Sequence, residues 1–351
     1  MFFSFIIPAI IGFAATWLAV RYFMALFGRI GMTAIDQQKA NKPWLPTSAG
    51  IPMAFGFLLG AMAFVAGNTF ITLVPLNLTQ LFAAVLAALL IALVGFFDDL
   101  NIRVRGQKIA FGTELDRVGL PKWSKPLLVL LAAVPLMAVS AGVSKMALPF
   151  IGSVDFGLLY PLLLVPLAVM FVSNASNILA GFNGIHAGPW FVATLTLAGY
   201  CLYLGRVEAA ALALIGAGAQ LGYFYWEWPP SRMLPGDSTT YFNGGLFAAI
   251  AIVGNIEKFA AIIFIPWIAE FVLKFIRTRG TFRVRTYGDL AEDGTIKLPY
   301  PRIMSVSHIV PALSERLRGK RLREWQISAA MIIIEAAICA AAIGLVWAGA
   351  L

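Results

Sequence analysis

"TQLFAAVLAALLIALVGFFDDLNIRVRGQK", residues 79 to 108, opens with nineteen uncharged residues and then sets down two adjacent acids, Asp98 and Asp99. Arg103, Arg105 and Lys108 follow within ten residues of the pair. About 20 apolar residues make a helix long enough to cross a hydrocarbon core, so 79–97 reads as a membrane span. A carboxylate deep in a bilayer costs about 2.5–3.5 kcal/mol on insertion scales, which puts the acidic pair at the rim. Neighbours on a helix point about 100° apart, so one acid can face a cleft while the other braces a neighbour. Two readings stay open here. The charges are either a wetted helix end, or a site for a polyanion that needs a metal or base with cationic clamps.

The rest of the chain has the same character. Of its 351 residues 60% are hydrophobic and 12% charged, with mean hydropathy +0.84; a soluble domain carries roughly 25% charged residues. An integral membrane protein follows, and it is all-α, because the apolar stretches are continuous and lack the alternation of a barrel. The opening "MFFSFIIPAIIGFAATWLAV" has no cationic n-region and reads as a retained first span. Cys201 and Cys339 lie in apolar stretches without motif spacing. His186 and His308 are too scattered for a histidine-built metal site, and each reads as a solvated or core histidine.

Ten apolar stretches fall at 2–27, 50–67, 79–97, 125–143, 157–175, 188–204, 207–225, 240–254, 257–276 and 326–350. They predict a polytopic protein of about ten transmembrane helices forming one domain over 1–351, with a polar insertion at 277–325 between the last two. With ten spans the loops alternate sides. The odd-numbered loops, counted with Lys125 at the edge of the fourth stretch, hold 21 of the 26 Lys and Arg residues and the even-numbered ones three, Lys145, Arg206 and Lys258. The positive-inside rule makes the odd loops cytoplasmic, so the net charge of +9 needs no nucleic-acid partner. Every polar constellation lies in an odd loop or at its edge, so they can share one site.

Three more stretches carry candidate chemistry. In "FVSNASNILAGFNGIHAG", residues 171–188, Asn174 and Asn177 share a helical face. Amides at a membrane boundary can ligate a hard cation or simply pack helices. Gly181 and Gly184 flank Asn183 and let backbone approach a ligand closely. In "WEWPPSRMLPGDSTTYFNGG", residues 226–245, Asp237 either caps the next helix or holds a divalent cation where the helix end favours phosphate. In the insertion, Phe282-Arg283-Val284-Arg285 alternates as a strand would, with both guanidinium forks on one face. "EDG" at 292–294 reads as the turn of a hairpin. The five cations from Arg316 to Arg323 read as an interfacial helix reaching toward headgroups.

In order along the chain, "IDQQKANKPWLPTSAG", "FFDDLNIRVRGQK", "NASNILAGFNGIHAG", "PSRMLPGDSTTYF" and "FRVR" resemble the polyprenyl-phosphate N-acetylhexosamine-1-phosphate transferases, glycosyltransferase family 4. The likeness spans about residues 36–310 and is greatest to the eukaryotic and archaeal dolichyl-phosphate branch. It implies transfer of N-acetylglucosamine-1-phosphate, or a close hexosamine-1-phosphate, from a UDP-sugar to a polyprenyl or dolichyl phosphate, releasing UMP. It further implies Mg²⁺, or Mn²⁺ in its place, on Asn177 and Asp237, with Asn174 supporting the metal or the substrate. Asp98 and Asp99 match the family's acidic pair and Lys108 a phosphate contact. Gly181 and Asn183 would line the nucleotide pocket, and Arg283 and Arg285 would hold pyrophosphate and sugar. Pairing as a homodimer is compatible with the resemblance.

Only His308 stands in the insertion where many bacterial members carry a histidine-rich motif, which favours the GlcNAc-transferring branch. His186 stands where that branch tends to have an acid. A phosphate nucleophile is already anionic at neutral pH, so the acidic pair is expected to act through electrostatics and position more than through proton removal. The rival reading is a transporter or flippase of an anionic lipid-linked substrate, which should carry charged or broken helices near the midplane.

Overall fold

The computed structural model describes residues 2–72, 75–100, 123–148 and 152–349. It is 69% helical. In chain order the elements are α1 (Phe2–Ile30), β1 (Thr33–Ile35), β2 (Trp44–Pro46), α2 (Gly50–Gly67), α3 (Leu78–Asp99), α4 (Ser124–Ala132) and α5 (Val134–Ala138). Then follow β3 (Lys145–Leu148), β4 (Gly152–Asp155), α6 (Val165–Ile178), α7 (Gly188–Tyr203), α8 (Val207–Glu227), α9 (Gly236–Gly254) and α10 (Glu257–Ile263). The chain closes with α11 (Ile265–Arg277), β5 (Asp289–Leu290), β6 (Ile296–Lys297), α12 (Ile309–Arg318) and α13 (Glu324–Trp347). Each strand pair is a separate two-stranded antiparallel ribbon.

α9 is the central post. Every residue from Ser238 to Gly254 is buried, against α3 and α6 first and α8 and α2 next. α1 packs outside α2 and α8, and α13 lies against α7 and α10. Two glycines set the closeness of this packing: a Cβ on Gly50 would stand 2.2 Å from the carbonyl carbon of Ser238, and one on Gly95 2.5 Å from the oxygen of Asp237. The start of α2 and the end of α3 therefore touch the backbone that opens α9.

Among the described residues, six helices are long and apolar enough to cross a membrane, or seven if the α10–α11 pair, bent by 62°, is one span. That count does not confirm the expectation of about ten spans. All ten apolar stretches contain helix, but the stretch at 125–143 breaks between α4 and α5, and α7 has only 16 residues. α9 begins Gly-Asp-Ser-Thr-Thr. A helix enclosed by other helices meets no lipid, so nothing requires it to be apolar throughout.

In the insertion, Phe282–Arg285 is not a strand, and Phe282 has φ 55°. The antiparallel pairing lies further on, Asp289 with Lys297 and Leu290 with Ile296, closed by the turn at Glu292–Gly294. An alternating pattern does not make a strand without a partner edge, and Phe282 packs instead on Phe271 and Phe275 of α11.

Candidate functional site

The connections that follow α1, α6, α8 and α11 meet the end of α3 at one end of the bundle, and the acidic pair divides there. Asp99 turns into α9: Oδ1 accepts the Asp237 N–H at 2.7 Å, and Oδ2 accepts the Ser238 N–H at 3.0 Å and the Ser48 hydroxyl at 2.9 Å. The first amides of a helix have no acceptor within it, and a carboxylate there also meets the positive end of the helix. α9 supplies no cap of its own, since Pro235 at that position makes no side-chain bond. Gly236, at φ 67°, is needed because a Cβ would sit 2.4 Å from Asp99 Oδ2. Asp99 is thus a cap supplied by a neighbouring helix.

Asp98 faces the other way. Its Oδ2 accepts a bond from Lys125 Nζ at 2.5 Å, and the same ammonium donates to Asp237 Oδ2 at 3.0 Å. Asp237 Oδ2 also accepts from Asn177 Nδ2 at 3.1 Å, and Asn177 Oδ1 accepts from the Thr240 hydroxyl at 2.9 Å. Asp237 therefore does not cap its own helix. Two carboxylates from α3 and α9 converge on one cation from α4, with an amide from α6 beside them. The side chains of Asp98, Lys125 and Asp237 keep 15%, 22% and 26% of their exposure, so the cluster is open to a ligand.

Asn174, one turn before Asn177, donates to the Met170 carbonyl at 2.8 Å and accepts from the Tyr241 hydroxyl at 3.0 Å. It braces α6 against α9 and makes neither of these bonds to an acid. Lys108 lies outside the described residues, as do Arg103 and Arg105.

A second cluster forms around the loop between α6 and α7. Gly181 has φ 128°, and a Cβ there would meet the Thr286 oxygen at 2.6 Å, so the glycine lets the insertion press on this loop. Its carbonyl accepts from Gln38 Nε2 at 2.7 Å. Asn183 is buried, donating Nδ2 to both oxygens of Asp36 at 3.2 and 3.3 Å and its N–H to Glu324 at 2.8 Å. His186 is also buried, with Nδ1 2.7 Å from Glu227 Oε1. Glu227 further accepts the N–H groups of His186 and Ala187 at 3.0 and 2.8 Å. The acid on α8 pins the loop by its backbone.

The two arginines do not share a strand face. Arg283 is exposed. Arg285 pairs with Asp289 and stacks on Tyr287, its carbon 4.7 Å from the ring centre. The segment reaches the loop through Thr286, and through Lys274 of α11, which donates to the Ile178 carbonyl at 2.6 Å.

Lys125 is the central residue that sequence reasoning missed. Its signal was there: a lone cation opening the apolar stretch at 125. Asp36, Glu227 and Glu324 were missed too, the first two although they stand inside stretches quoted above, because their partners lie on distant elements.

The fold and site define a polytopic membrane protein whose acids, amide and lysine converge where several helices end. The model of glycosyl transferase family 4 matches residues 81–255, the part holding Asp98, Lys125, Asn177 and Asp237, and the chain belongs to that family. A Sulfolobus acidocaldarius protein, provisionally named a UDP-N-acetylglucosamine–dolichyl-phosphate N-acetylglucosaminephosphotransferase, is 28% identical over 92% of this chain and 90% of its own. The Dictyostelium discoideum protein of that name is 27% identical over 70% of this chain and 65% of its own. A phospho-N-acetylmuramoyl-pentapeptide-transferase of Chlamydia muridarum is 26% identical over 78% and 76%.

Proposed function

We propose that this chain transfers N-acetylglucosamine-1-phosphate, or a close hexosamine-1-phosphate, from its UDP-sugar to a polyprenyl or dolichyl phosphate. The observation that carries this reading is the single ammonium of Lys125 held between Asp98 and Asp237. Carboxylates converging on a cation at a partly open helix end suit a diphosphate substrate, which brings further charge of its own. The relatives named for this transfer support the substrate class.

The donor set fits a hard divalent cation. Asp237 and Asn177, with Asp98 alongside, would hold Mg²⁺, or Mn²⁺ in its place; an amide turned end for end presents its oxygen. Among the described residues no three His, Cys, Asp or Glu form a cage, and Mg²⁺ commonly takes one or two carboxylates and completes its shell with phosphate oxygens and water. When bound it supplies neutralisation of diphosphate charge.

An oxygen of the lipid phosphate forms a bond to the β-phosphorus of the UDP-sugar. The bond from that phosphorus to the bridging oxygen breaks, and UMP leaves with the electron pair. Phosphoryl transfer of this kind asks mainly for position and charge compensation. Lys125 donates to the phosphate oxygens from between the acids. Asp98 and Asp237 orient that ammonium, and Asp99 fixes the start of α9, a positioning role. Gly181 and Asn183 shape the wall on the nucleotide side, and Arg283 is an exposed cation for the pyrophosphate or sugar. The site faces the cytoplasm, because the segments of sequence that follow α1, α3, α6, α8 and α11 carry most of the Lys and Arg residues.

The test is UMP release by detergent-purified protein given UDP-GlcNAc, Mg²⁺ and a short polyprenyl phosphate. Release that requires both lipid phosphate and metal is expected. No release with any UDP-hexosamine overturns the reading in favour of transport of a lipid-linked anion.

A further inference from the structure

The insertion carries a surface that the transfer reaction does not use. Along α12, Ile309, Leu313 and Leu317 are 41%, 52% and 72% exposed. Their spacing of four places them on one helical face. Tyr300 and Ile303 line the same open groove as Ile309 and Leu313. An exposed apolar stripe of this length marks a surface that is covered in use.

Two observations say what covers it. The first is charge. Arg316, Arg318 and Lys320 are exposed and have no acidic partner among the described residues, whereas Arg321 is tied to Glu315 at 3.1 Å. Cations beside an apolar stripe match a bilayer surface with anionic headgroups. The second is continuity. α12 stops at Gly319, in the left-handed conformation, and α13 begins five residues later at Glu324. α13 is one of the six candidate membrane spans, and Trp325 in its first turn is 47% exposed, as an interfacial tryptophan is. At most about 3.6 Å per residue, the link cannot carry α12 far from the plane where that span enters lipid.

We propose that α12 lies in the membrane interface, its Ile309–Leu313–Leu317 stripe in the acyl boundary and Arg316, Arg318 and Lys320 on phosphates of anionic phospholipids. The anchor is mechanically joined to the loop between α6 and α7. The residues that lead into α12 are latched by Glu270, which accepts from the Ser305 hydroxyl at 2.8 Å and the Val306 N–H at 2.5 Å. His308 Nε2 lies 2.8 Å from the carbonyl of Thr286, the residue that rests on Gly181.

The test uses the full chain in nanodiscs of phosphatidylcholine, with or without phosphatidylglycerol, and a doxyl-labelled lipid as quencher. Leu313→Cys and Leu317→Cys carry an environment-sensitive fluorophore, and Glu292→Cys in the exposed turn serves as control; Cys201 and Cys339 are buried. The expected result is a blue shift and loss of emission at 313 and 317 but not at 292, deeper with phosphatidylglycerol. The gain from anionic lipid should vanish in R316Q/R318Q/K320Q. It should also vanish in the uncharged-to-charged comparison at about 1 M salt, where the screening length is about 3 Å, which needs no charge variant to fold. No lipid quenching at 313 and 317 overturns the proposal, including a blue shift without quenching, which would mean a second protein surface covers the stripe. Quenching that is indifferent to phosphatidylglycerol, to salt and to the triple variant overturns the headgroup assignment.

Discussion

Asp99 and Glu227 make an instructive contrast with Asp98 and Asp237. The first two are fully committed to holding backbone: Asp99 takes two amides and a hydroxyl at the start of α9, and Glu227 takes two amides and an imidazole in the loop after α6. The second two share one lysine. An acid whose acceptors are saturated by its own fold positions other groups; an acid facing a partly exposed ammonium can exchange that partner for a ligand. The adjacency of Asp98 and Asp99 hides this division, because side chains about 100° apart on a helix serve different neighbours.

The largest effect expected from that contrast is on turnover. Asp237→Asn and Lys125→Gln should each lower UMP release by roughly 10²–10³, the loss seen when one preorganised electrostatic group is removed. Melting temperature in detergent should stay near that of the unaltered protein. A Lys125→Gln protein with full activity would remove the lysine from the site and end the comparison.

Asp99→Asn should do the reverse. A neutral amide offers one oxygen where two amides and a hydroxyl now find a carboxylate, and hydrogen bonds to a charged group are worth about 1.5–3 kcal/mol. Stability should fall by an amount of that order, read as a lower unfolding midpoint, with activity of the folded fraction much better preserved than in Asp237→Asn. If Asp99→Asn instead melts normally and is inactive, Asp99 touches substrate and the division of the pair fails.

How far the sequence alone reaches follows the same line. The spans around α3 were legible because a lipid-facing helix must be apolar along its length. The order of the motifs was legible because each is local: Asp98-Asp99, Asn174 with Asn177, and Gly236-Asp237 are neighbours on one element. Lys125 was not, since its two acids lie 27 and 112 residues away and a single lysine at a helix start has an ordinary reading as a wetted end. The tie of Asn183 to Asp36 spans 147 residues. The arginine ribbon was misread for a physical reason: period-two alternation describes a surface that fits a sheet, and residues 282–285 have no sheet to join.

Glu227→Gln gives a smaller and more selective effect. The amide keeps one acceptor for two N–H groups and brings a donor to a buried place, a mismatch costing about 1–3 kcal/mol. Because Glu227 pins the loop of Gly181 and Asn183, the expected signature is a raised KM for the UDP-sugar with little change in the metal requirement. An unchanged KM would mean the loop holds its shape without the acid.

The smallest effect concerns the latch in front of α12. Burial pushes the His308 imidazole below its ordinary value near 6.5, aided by the nearby Lys274 charge and opposed by the Thr286 carbonyl and Glu270. Nε2 bonds the Thr286 oxygen, while buried Nδ1 has no partner among the described residues. A proton added at Nδ1 would be a buried donor with nowhere to go. The latched state therefore binds fewer protons than the open one between the depressed value and 6.5, so latching is fully favoured above that window and weakens as pH falls through it. Amide exchange at Thr286 and Ser305–His308, corrected for intrinsic rate, should show less protection near pH 5 than near pH 7.5, and His308→Gln should flatten the difference. Equal protection at both pH values would show that some other contact holds the insertion against the loop, and the anchor in α12 would then reach the site by a different route.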